Sequence, residues 1–196
     1  MKEPLLEPLL RKMRISKILP VIRQFPQCKL LDVGCGYNAK LLKSVEPYIT
    51  SGTGIDFKAP DLKTAKLKTI SVTLDDKLPF ENDSFHIVTL MAVLEHLEKP
   101  LDILREIHRV LKKSETINNG ASGTGILTGT VPSKAAKPVL EFLSYKLKIV
   151  NEAEIRDHKQ YFNKKELGEI FSKAGFKESN IKYFQFGMNI FFTAQA

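Results

Sequence analysis

An acid and two glycines stand close together in the segment "LLDVGCG", residues 30–36. Asp32 lies in a short apolar run that is typical of a buried parallel strand, and Gly34 and Gly36 flank a single residue. Two glycines at this spacing let the backbone turn tightly and approach a ligand closely. A carboxylate beside such a turn attracts an ammonium group and repels a phosphate. The pattern therefore predicts a binding site for a ligand that carries a positive charge.

A second acid indicates that this ligand contains a nucleoside. Asp56 closes the strand-like segment "GTGID" about twenty residues after Gly36, where a carboxylate can accept hydrogen bonds from ribose hydroxyls. The segment "GCGYNA" also fits the dinucleotide fingerprint, so a nicotinamide cofactor stays open at this point. S-adenosylmethionine carries an ammonium group and a sulfonium and has no phosphate. The charge of Asp32 favours S-adenosylmethionine.

Six segments, taken in this order, resemble the class I S-adenosylmethionine-dependent methyltransferases of the small-molecule type. The resemblance spans residues 28–195, and its segments are "LLDVGCG", "GTGIDF", "LPFENDSFHIV", "VLEHLEKPLDILREIHRVLK", "GILTGTVPS" and "ELGEIFSKAGF". It implies a methyltransferase with an α/β, Rossmann-like fold: a seven-stranded, mostly parallel sheet with helices on both faces and an antiparallel last strand. The chain departs from the family's pattern at His86, which stands where the family usually has Asp.

The resemblance also implies which residues hold the cofactor. Asp32, Gly34 and Gly36 would hold its methionine end, and the adjoining turn would be lined by Cys35 and Tyr37. The remaining expected contacts are Asp56 on the ribose, Phe57 on the adenine ring, Leu74 and Asp75 at the adenine edge, and Leu90 and Met91 near the sulfur.

Methyl transfer is an in-line displacement, so the protein's main task is to align the reacting groups. A hydroxyl acceptor also needs a general base. His158 in "RDHKQYF" is the first candidate for this base, and His96 in "VLEHL" is the second. Tyr161 is expected in the pocket wall, and Glu95 and Asp157 are expected to orient the rings. No metal site is predicted.

These residues must be positioned by an alternation of strands and helices over residues 28–131, which predicts a parallel sheet covered on both faces. We expect residues 1–27 to form an N-terminal helical cap, broken near Pro20, and residues 28–196 to form the cofactor-binding domain. Asn38 is expected to cap a short helix, and Gly175 to end the helix of "KKELGEIFSKAGF". The polar segment 114–124 is expected to be a mobile loop.

Net charge is +8, from 30 basic and 22 acidic residues. This charge leaves open an anionic substrate, RNA or an anionic lipid surface as a partner. No aromatic pair or arginine-rich run typical of RNA binding accompanies it. We therefore expect a small-molecule acceptor rather than a nucleic acid. This acceptor is expected to be anionic or amphipathic, and it could be linked to a lipid or a nucleotide. An RNA methyltransferase and a non-catalytic cofactor-binding module are the alternatives.

The remaining expectations concern the setting of the protein. No apolar run reaches the length that spans a bilayer, and the first twenty residues, interrupted by prolines and charges, do not resemble a signal peptide. Two cysteines do not make a disulfide framework. We expect a cytoplasmic protein, either monomeric or homodimeric, that can contact a membrane surface peripherally.

Overall fold

The computed structural model describes residues 6–74, 77–113, 115–117, 121–146 and 152–196. Its strands are β1 (Cys28–Val33), β2 (Ile49–Asp56), β3 (Leu67–Ser71), β4 (Ile87–Met91), β5 (Glu115–Ile117), β6 (Ala121–Gly123), β7 (Ile126–Pro132), β8 (Ser179–Phe184) and β9 (Asn189–Gln195). Its α-helices are α1 (Glu7–Arg23), α2 (Lys40–Val45), α3 (Pro100–Val110), α4 (Ala136–Glu141), α5 (Glu152–Arg156) and α6 (Lys164–Ala174).

Seven of these strands form one sheet in the order β3-β2-β1-β4-β7-β9-β8. The strands β3, β2, β1, β4 and β7 are parallel, whereas β9 is antiparallel to both of its neighbours, β7 and β8. The predicted seven-stranded sheet and its antiparallel last strand are confirmed. The strand order reverses between β1 and β4, and ligands of open α/β sheets bind beside such a reversal, at the carboxyl ends of the strands.

Two hydrophobic clusters cover the sheet, one on each face. Side chains of β1 alternate between them, as the two-residue period of a strand requires: Leu31 and Val33 belong to one cluster, and Leu30 belongs to the other. The first cluster includes buried residues of α3 and α6, and the second includes those of α1 and α2. The predicted helices on both faces are confirmed.

Arg109 on α3 fastens the segment that leads into β4. Its guanidinium donates to the carbonyl oxygens of Leu78 (3.0 Å) and Phe80 (2.8 Å) and to Asn82 Oδ1 (2.9 Å). Glu106 joins the same network, since its Oε2 accepts from the backbone N–H of Leu78 at 2.9 Å. The segment "LPFEN" is therefore held against α3 before the chain enters the sheet.

Three local expectations were wrong. Helix α1 continues through Pro20 to Arg23, because burial of Ile18 and Ile22 against the sheet outweighs the hydrogen bond that proline removes. Ala39, in the left-handed region at φ 47°, precedes α2 instead of an Asn38 cap. Within 114–124, the described residues form strands β5 and β6, which pair antiparallel, instead of a loop.

Among the described residues, no helix has both the length and the apolar character needed to cross a bilayer.

Gly168 lies inside α6 and offers a simple test of the helix packing. A Cβ built there would lie 3.8 Å from Ile181 Cδ1, an ordinary van der Waals contact. Gly168→Ala should therefore raise the free energy of unfolding by about 0.5–1 kcal/mol, because alanine loses less backbone entropy than glycine in a helix. Urea denaturation measures this change. The matched control is Gly175→Ala at the helix end, where φ is +103° and a Cβ would lie 3.0 Å from the His108 ring; it should lower stability, and a stabilised Gly175→Ala would contradict this packing.

Candidate functional site

Asp32 lies near the end of β1, at the point where the strand order reverses. Its carboxylate is buried, with 2% of the residue exposed. Thr89, paired with Asp32 across β1 and β4, donates a hydrogen bond from Oγ1 to Asp32 Oδ1 at 2.7 Å. Burial raises the pKa of Asp32 to about 7; the Thr89 hydrogen bond opposes this rise, and the nearby Asp56 charge adds to it. A buried carboxyl of this kind is stabilised in its ionised form by a cationic ligand.

The glycine turn follows at once and is tied to the neighbouring strand. The backbone N–H groups of Gly34 and Cys35 both donate to the carbonyl oxygen of Ile55, at 2.8 and 3.1 Å. Both glycines have positive φ, +77° at Gly34 and +65° at Gly36. A Cβ at Gly34 would lie 2.3 Å from Val93 Cγ2, whereas a Cβ at Gly36 would meet nothing within 4 Å. The backbone at Gly36 is thus open to a ligand.

Asp56 connects the end of β2 to this turn. Its Oδ2 accepts a hydrogen bond from the backbone N–H of Gly36 at 3.0 Å, and its Oδ1 accepts one from that of Lys58 at 2.7 Å. Each carboxylate oxygen has two lone pairs, so both oxygens can accept one further hydrogen bond. The carboxylate is therefore oriented by the backbone and still able to bind a diol such as that of a ribose.

Two aromatic residues expected at the cofactor lie at the surface. Tyr37 is 63% exposed and Phe57 is 65% exposed. The Lys58 ammonium lies 4.7 Å from the centroid of the Phe57 ring. Both rings flank the acid–glycine site, one in the glycine turn and one directly after Asp56, so each has a face available to a flat ligand.

The other expected cofactor residues are placed in different surroundings. Met91 and Leu74 are partly buried, and Cys35 is 8% exposed. Burial, with the negative charges of Asp32 and Asp56, raises the pKa of the Cys35 thiol to about 12, so this thiol is neutral.

Leu90 has a fully buried side chain, and its expected place near the sulfur stays a prediction. Asp75, expected at the adenine edge, lies outside the described residues.

The structure brings the two candidate bases together. The rings of His96 and His158 lie 4.8 Å apart between centroids. His96 Nδ1 lies 3.0 Å from Asp157 Oδ2, and His158 Nδ1 lies 2.9 Å from the Tyr161 hydroxyl oxygen. Burial and the neighbouring His96 lower the pKa of His158 to about 4, so its ring is neutral near pH 7.

Contacts around the end of β4 join this histidine pair to the glycine turn. Val93, which would meet a Cβ at Gly34, stands two residues before Glu95. The Glu95 carbonyl oxygen accepts hydrogen bonds from the backbone N–H groups of Lys159 (2.8 Å) and Gln160 (3.3 Å). Residues 93–96 therefore contact the glycine turn on one side and the His158 segment on the other.

A cavity of about 550 Å³ opens beside His158. Its basic and aromatic lining residues are Lys134, Lys137, Tyr145, Arg156, His158, Lys159 and Tyr161. Three of the four cations have acidic partners: Lys134 pairs with Glu166, Arg156 with Glu152 and Lys159 with Asp157.

The motifs did not predict two parts of this site, the Thr89 hydrogen bond and the basic lining of the cavity. Thr89 is the β4 residue paired with Asp32, and that pairing is set by a strand register that only the folded sheet shows. Lys134 and Lys137 stand three residues apart in "SKAAK", a spacing that is equally typical of an ordinary solvent-facing helix.

Comparisons with known proteins agree with this geometry. A family model described as "Methyltransferase domain" matches residues 31–117. The demethylmenaquinone methyltransferase of Chlamydia muridarum is 33% identical over 90 residues, which cover 42% of this chain and 39% of that protein. The demethylmenaquinone methyltransferase of Staphylococcus aureus strain JH9 is 29% identical over 185 residues, covering 82% of this chain and 72% of that protein.

The fold has relatives among solved structures. A SAM-dependent methyltransferase from Thermotoga maritima superposes with a TM-score of 0.66 at 18% identity, covering 95% of this chain and 91% of that chain. Its likeness shows the shared fold, and the matched family domain contains the acid–glycine turn, Asp56 and the end of β4. Residues 31–117 thus match a methyltransferase domain, and the sheet order and the buried acid beside the glycine turn are consistent with a class I S-adenosylmethionine-dependent methyltransferase.

Proposed function

We propose that this chain transfers a methyl group from S-adenosylmethionine to a small acceptor with a hydroxylated ring, bound in the 550 Å³ cavity. The observation that carries the proposal is the position of His158. It lies in the cavity wall beside His96, on a segment that residues 93–96 join to the glycine turn. A methyl donor bound at the glycine turn and an acceptor bound in the cavity would then be separated only by residues 93–96.

The acid–glycine site has the chemistry that the cofactor requires. Asp32 would bind its ammonium group, the backbone at Gly36 would approach its methionine part, and Asp56 would accept hydrogen bonds from its ribose. Tyr37 and Phe57 have exposed rings that can pack against the adenine. When bound, S-adenosylmethionine supplies a methyl group that its sulfonium has already activated. The residues of this chain bind and orient the two reactants, and alignment of this kind accounts for much of the rate of a displacement.

The cavity favours an acceptor ring that is already anionic or that becomes anionic when its hydroxyl loses a proton. Four cationic side chains and two tyrosines line it, and a volume of about 550 Å³ falls in the usual range for small-molecule pockets. The demethylmenaquinone methyltransferases that this chain resembles are named for a quinone acceptor. A hydroquinone fits both observations, because its phenolate form carries negative charge on a flat apolar ring.

The acceptor hydroxyl would lose its proton at the histidine pair. The neutral ring of His158 is available to accept a proton at Nε2 when Nδ1–H donates to the Tyr161 oxygen, and Asp157 fixes the orientation of His96. A positioned base contributes roughly 10²- to 10⁴-fold to the rate when its pKa lies near the operating pH, and the negative charge that develops on the acceptor would raise the pKa of His158 toward that range.

Transfer of radiolabelled methyl groups to hydroquinones tests the proposal. We expect His158→Gln to lower kcat by about 100-fold or more while the Kd for S-adenosylhomocysteine stays near that of the wild type. The matched control is His108→Gln on α3, a histidine that packs against Phe176, away from the cavity, and it should keep nearly full activity.

Two outcomes would contradict the proposal. One is an unchanged kcat in His158→Gln with every hydroquinone that the wild-type protein methylates. The other is labelling of RNA alone, together with RNA binding that weakens steeply as salt rises, which would support the RNA methyltransferase alternative.

A further inference from the structure

We propose that Glu95, His96 and His158 bind one divalent first-row transition-metal ion at the edge of the cavity. One ligand atom from each side chain lies within 4.8 Å of the other two. Donors of a tetrahedral zinc site stand roughly 3.4 Å apart, given metal–ligand distances of about 2.1 Å. The largest donor–donor distance, 4.8 Å, would therefore have to shorten by roughly 1.4 Å for the three atoms to bind one ion. Small rotations about the side-chain bonds can supply a change of this size.

The donor set is one that divalent metals use in enzymes. Two imidazoles and one carboxylate hold catalytic zinc in several hydrolases and non-haem iron in many oxygenases. The three residues come from two segments, since Glu95 and His96 are adjacent and His158 follows far along the chain. No sequence spacing indicates such a site, which is why the sequence predicts none.

Both histidines already have the outer partners that metal-binding imidazoles require. His96 Nδ1 lies 3.0 Å from Asp157 Oδ2, and His158 Nδ1 lies 2.9 Å from the Tyr161 hydroxyl oxygen. A partner that accepts from Nδ1–H, as a carboxylate does, holds the proton there and leaves the lone pair of Nε2 for an ion. The pairing of His96 with Asp157 is the carboxylate–histidine arrangement that stabilises many metal centres.

The surrounding charges are compatible with a cation. Glu95 is 1% exposed, so its carboxylate would act in a weakly screened environment. Asp157 adds a second negative charge beside His96. Two of the positive groups near His158 are paired with acids: Lys159 Nζ lies 3.6 Å from Asp157 Oδ1, and Arg14 Nη1 lies 4.0 Å from Glu7 Oε2.

Three protein ligands leave coordination positions for the acceptor. An acceptor oxygen bound there would ionise more easily, because a metal ion stabilises the anion. With the ion bound, His96 and His158 would promote loss of the hydroxyl proton as ligands, and without it His158 would act as the base proposed above. This role rests on the proposed function, whereas the binding of the ion does not.

Equilibrium dialysis with Zn²⁺ alone tests the site, using the full chain after chelator treatment and without cofactor or acceptor. We expect one ion per chain. Glu95→Gln and His158→Gln should each weaken Zn²⁺ binding by about 100-fold or more, and Asp157→Asn by about 10- to 100-fold, as loss of an outer partner does. His108→Gln, on α3, is the matched control and should bind as the wild type does. Circular dichroism checks the fold of each variant, and His96→Asn replaces any ligand variant that does not fold.

The visible spectrum of bound Co²⁺ gives a second readout, because it responds to the coordination number and the type of ligand, and it should change in His96→Asn and His158→Gln but not in His108→Gln. Stoichiometric binding that survives all three ligand substitutions, or no binding at micromolar Zn²⁺, would overturn the inference. Ion binding without methylation of any hydroquinone would leave the metal site intact and reject the proposed function. Methylation that a chelator does not affect, in a chain that binds no ion, would reject the metal site and leave the proposed function intact.

Discussion

Asp32→Asn is expected to weaken the binding of S-adenosylhomocysteine by roughly 10- to 150-fold, the value of one hydrogen bond to a charged group. The carboxylate is 2% exposed and held by Thr89, so little water screens its attraction for the ammonium group of the ligand. An asparagine of the same shape keeps the packing and loses the charge. Isothermal titration calorimetry at pH 7.5 measures the change in Kd.

The same carboxyl makes cofactor binding depend on pH. Because its pKa is raised to about 7 in the free protein, Asp32 is largely protonated at pH 6 and must lose that proton to bind an ammonium group. Below pH 7 the affinity should therefore fall as the pH falls, approaching tenfold per pH unit, with up to one proton released on binding. Calorimetry at pH 6 in buffers of different ionisation enthalpy detects this proton, and Asp32→Asn should release none.

Stability of the cofactor-free protein should show the opposite dependence. The folded-state pKa of Asp32 lies above its ordinary value of 3.8, so the unfolded chain ionises first as the pH rises. The contribution of Asp32 to stability is thus lost between about pH 4 and pH 7, by roughly 4 kcal/mol for a fully buried group. Urea denaturation should show a flatter pH dependence in Asp32→Asn than in the wild-type protein.

Asp102→Asn is the control for these measurements, since that side chain is 42% exposed on α3. It should leave affinity and proton release unchanged. Native affinity in Asp32→Asn, or identical heats in all buffers at pH 6, would contradict the assignment of Asp32 to the ammonium group.

Alanine substitution at the two turn glycines should separate folding from binding. Both positions have positive φ, so each substitution carries a backbone strain of about 1–2 kcal/mol. Gly34→Ala also places a Cβ 2.3 Å from Val93 Cγ2, and overpacking adds about 1–3 kcal/mol. Gly36→Ala meets no protein atom within 4 Å but occupies space that the ligand needs. We expect Gly34→Ala to lose about 3 kcal/mol of stability, and Gly36→Ala to lose less stability but at least about tenfold in cofactor affinity.

A double-mutant cycle checks the reason given for Gly34. Val93→Ala should recover part of the stability lost in Gly34→Ala, because the colliding methyl groups are removed, and the coupling should exceed 0.5 kcal/mol. Gly36→Ala combined with Val93→Ala should show no coupling. Equal losses of stability at the two glycines, or strict additivity of Gly34→Ala and Val93→Ala, would show that the turn does not pack as described.

Local patterns predicted the elements well where burial and propensity agree. The apolar run before Asp32 formed a strand, and α6 ended at Gly175, whose φ of +103° suits glycine. The pattern failed where tertiary packing acts against a local signal: α1 continues through Pro20 because Ile18 and Ile22 are buried.

The amino-acid order by itself determined the acid–glycine turn, the second acid and the strand–helix alternation, since each depends on neighbours only a few residues away. The tertiary structure alone decided which distant residues are in contact. Thr89 donates a hydrogen bond to Asp32, Val93 packs against Gly34, and the rings of His96 and His158 lie side by side. Such encounters depend on strand register and on the docking of residues 158–161 against Glu95, and no local spacing encodes either. The residues expected to bind the cofactor could therefore be named from the sequence, whereas the histidine pair, its cavity and the donor set proposed for a metal ion emerged only from the folded chain.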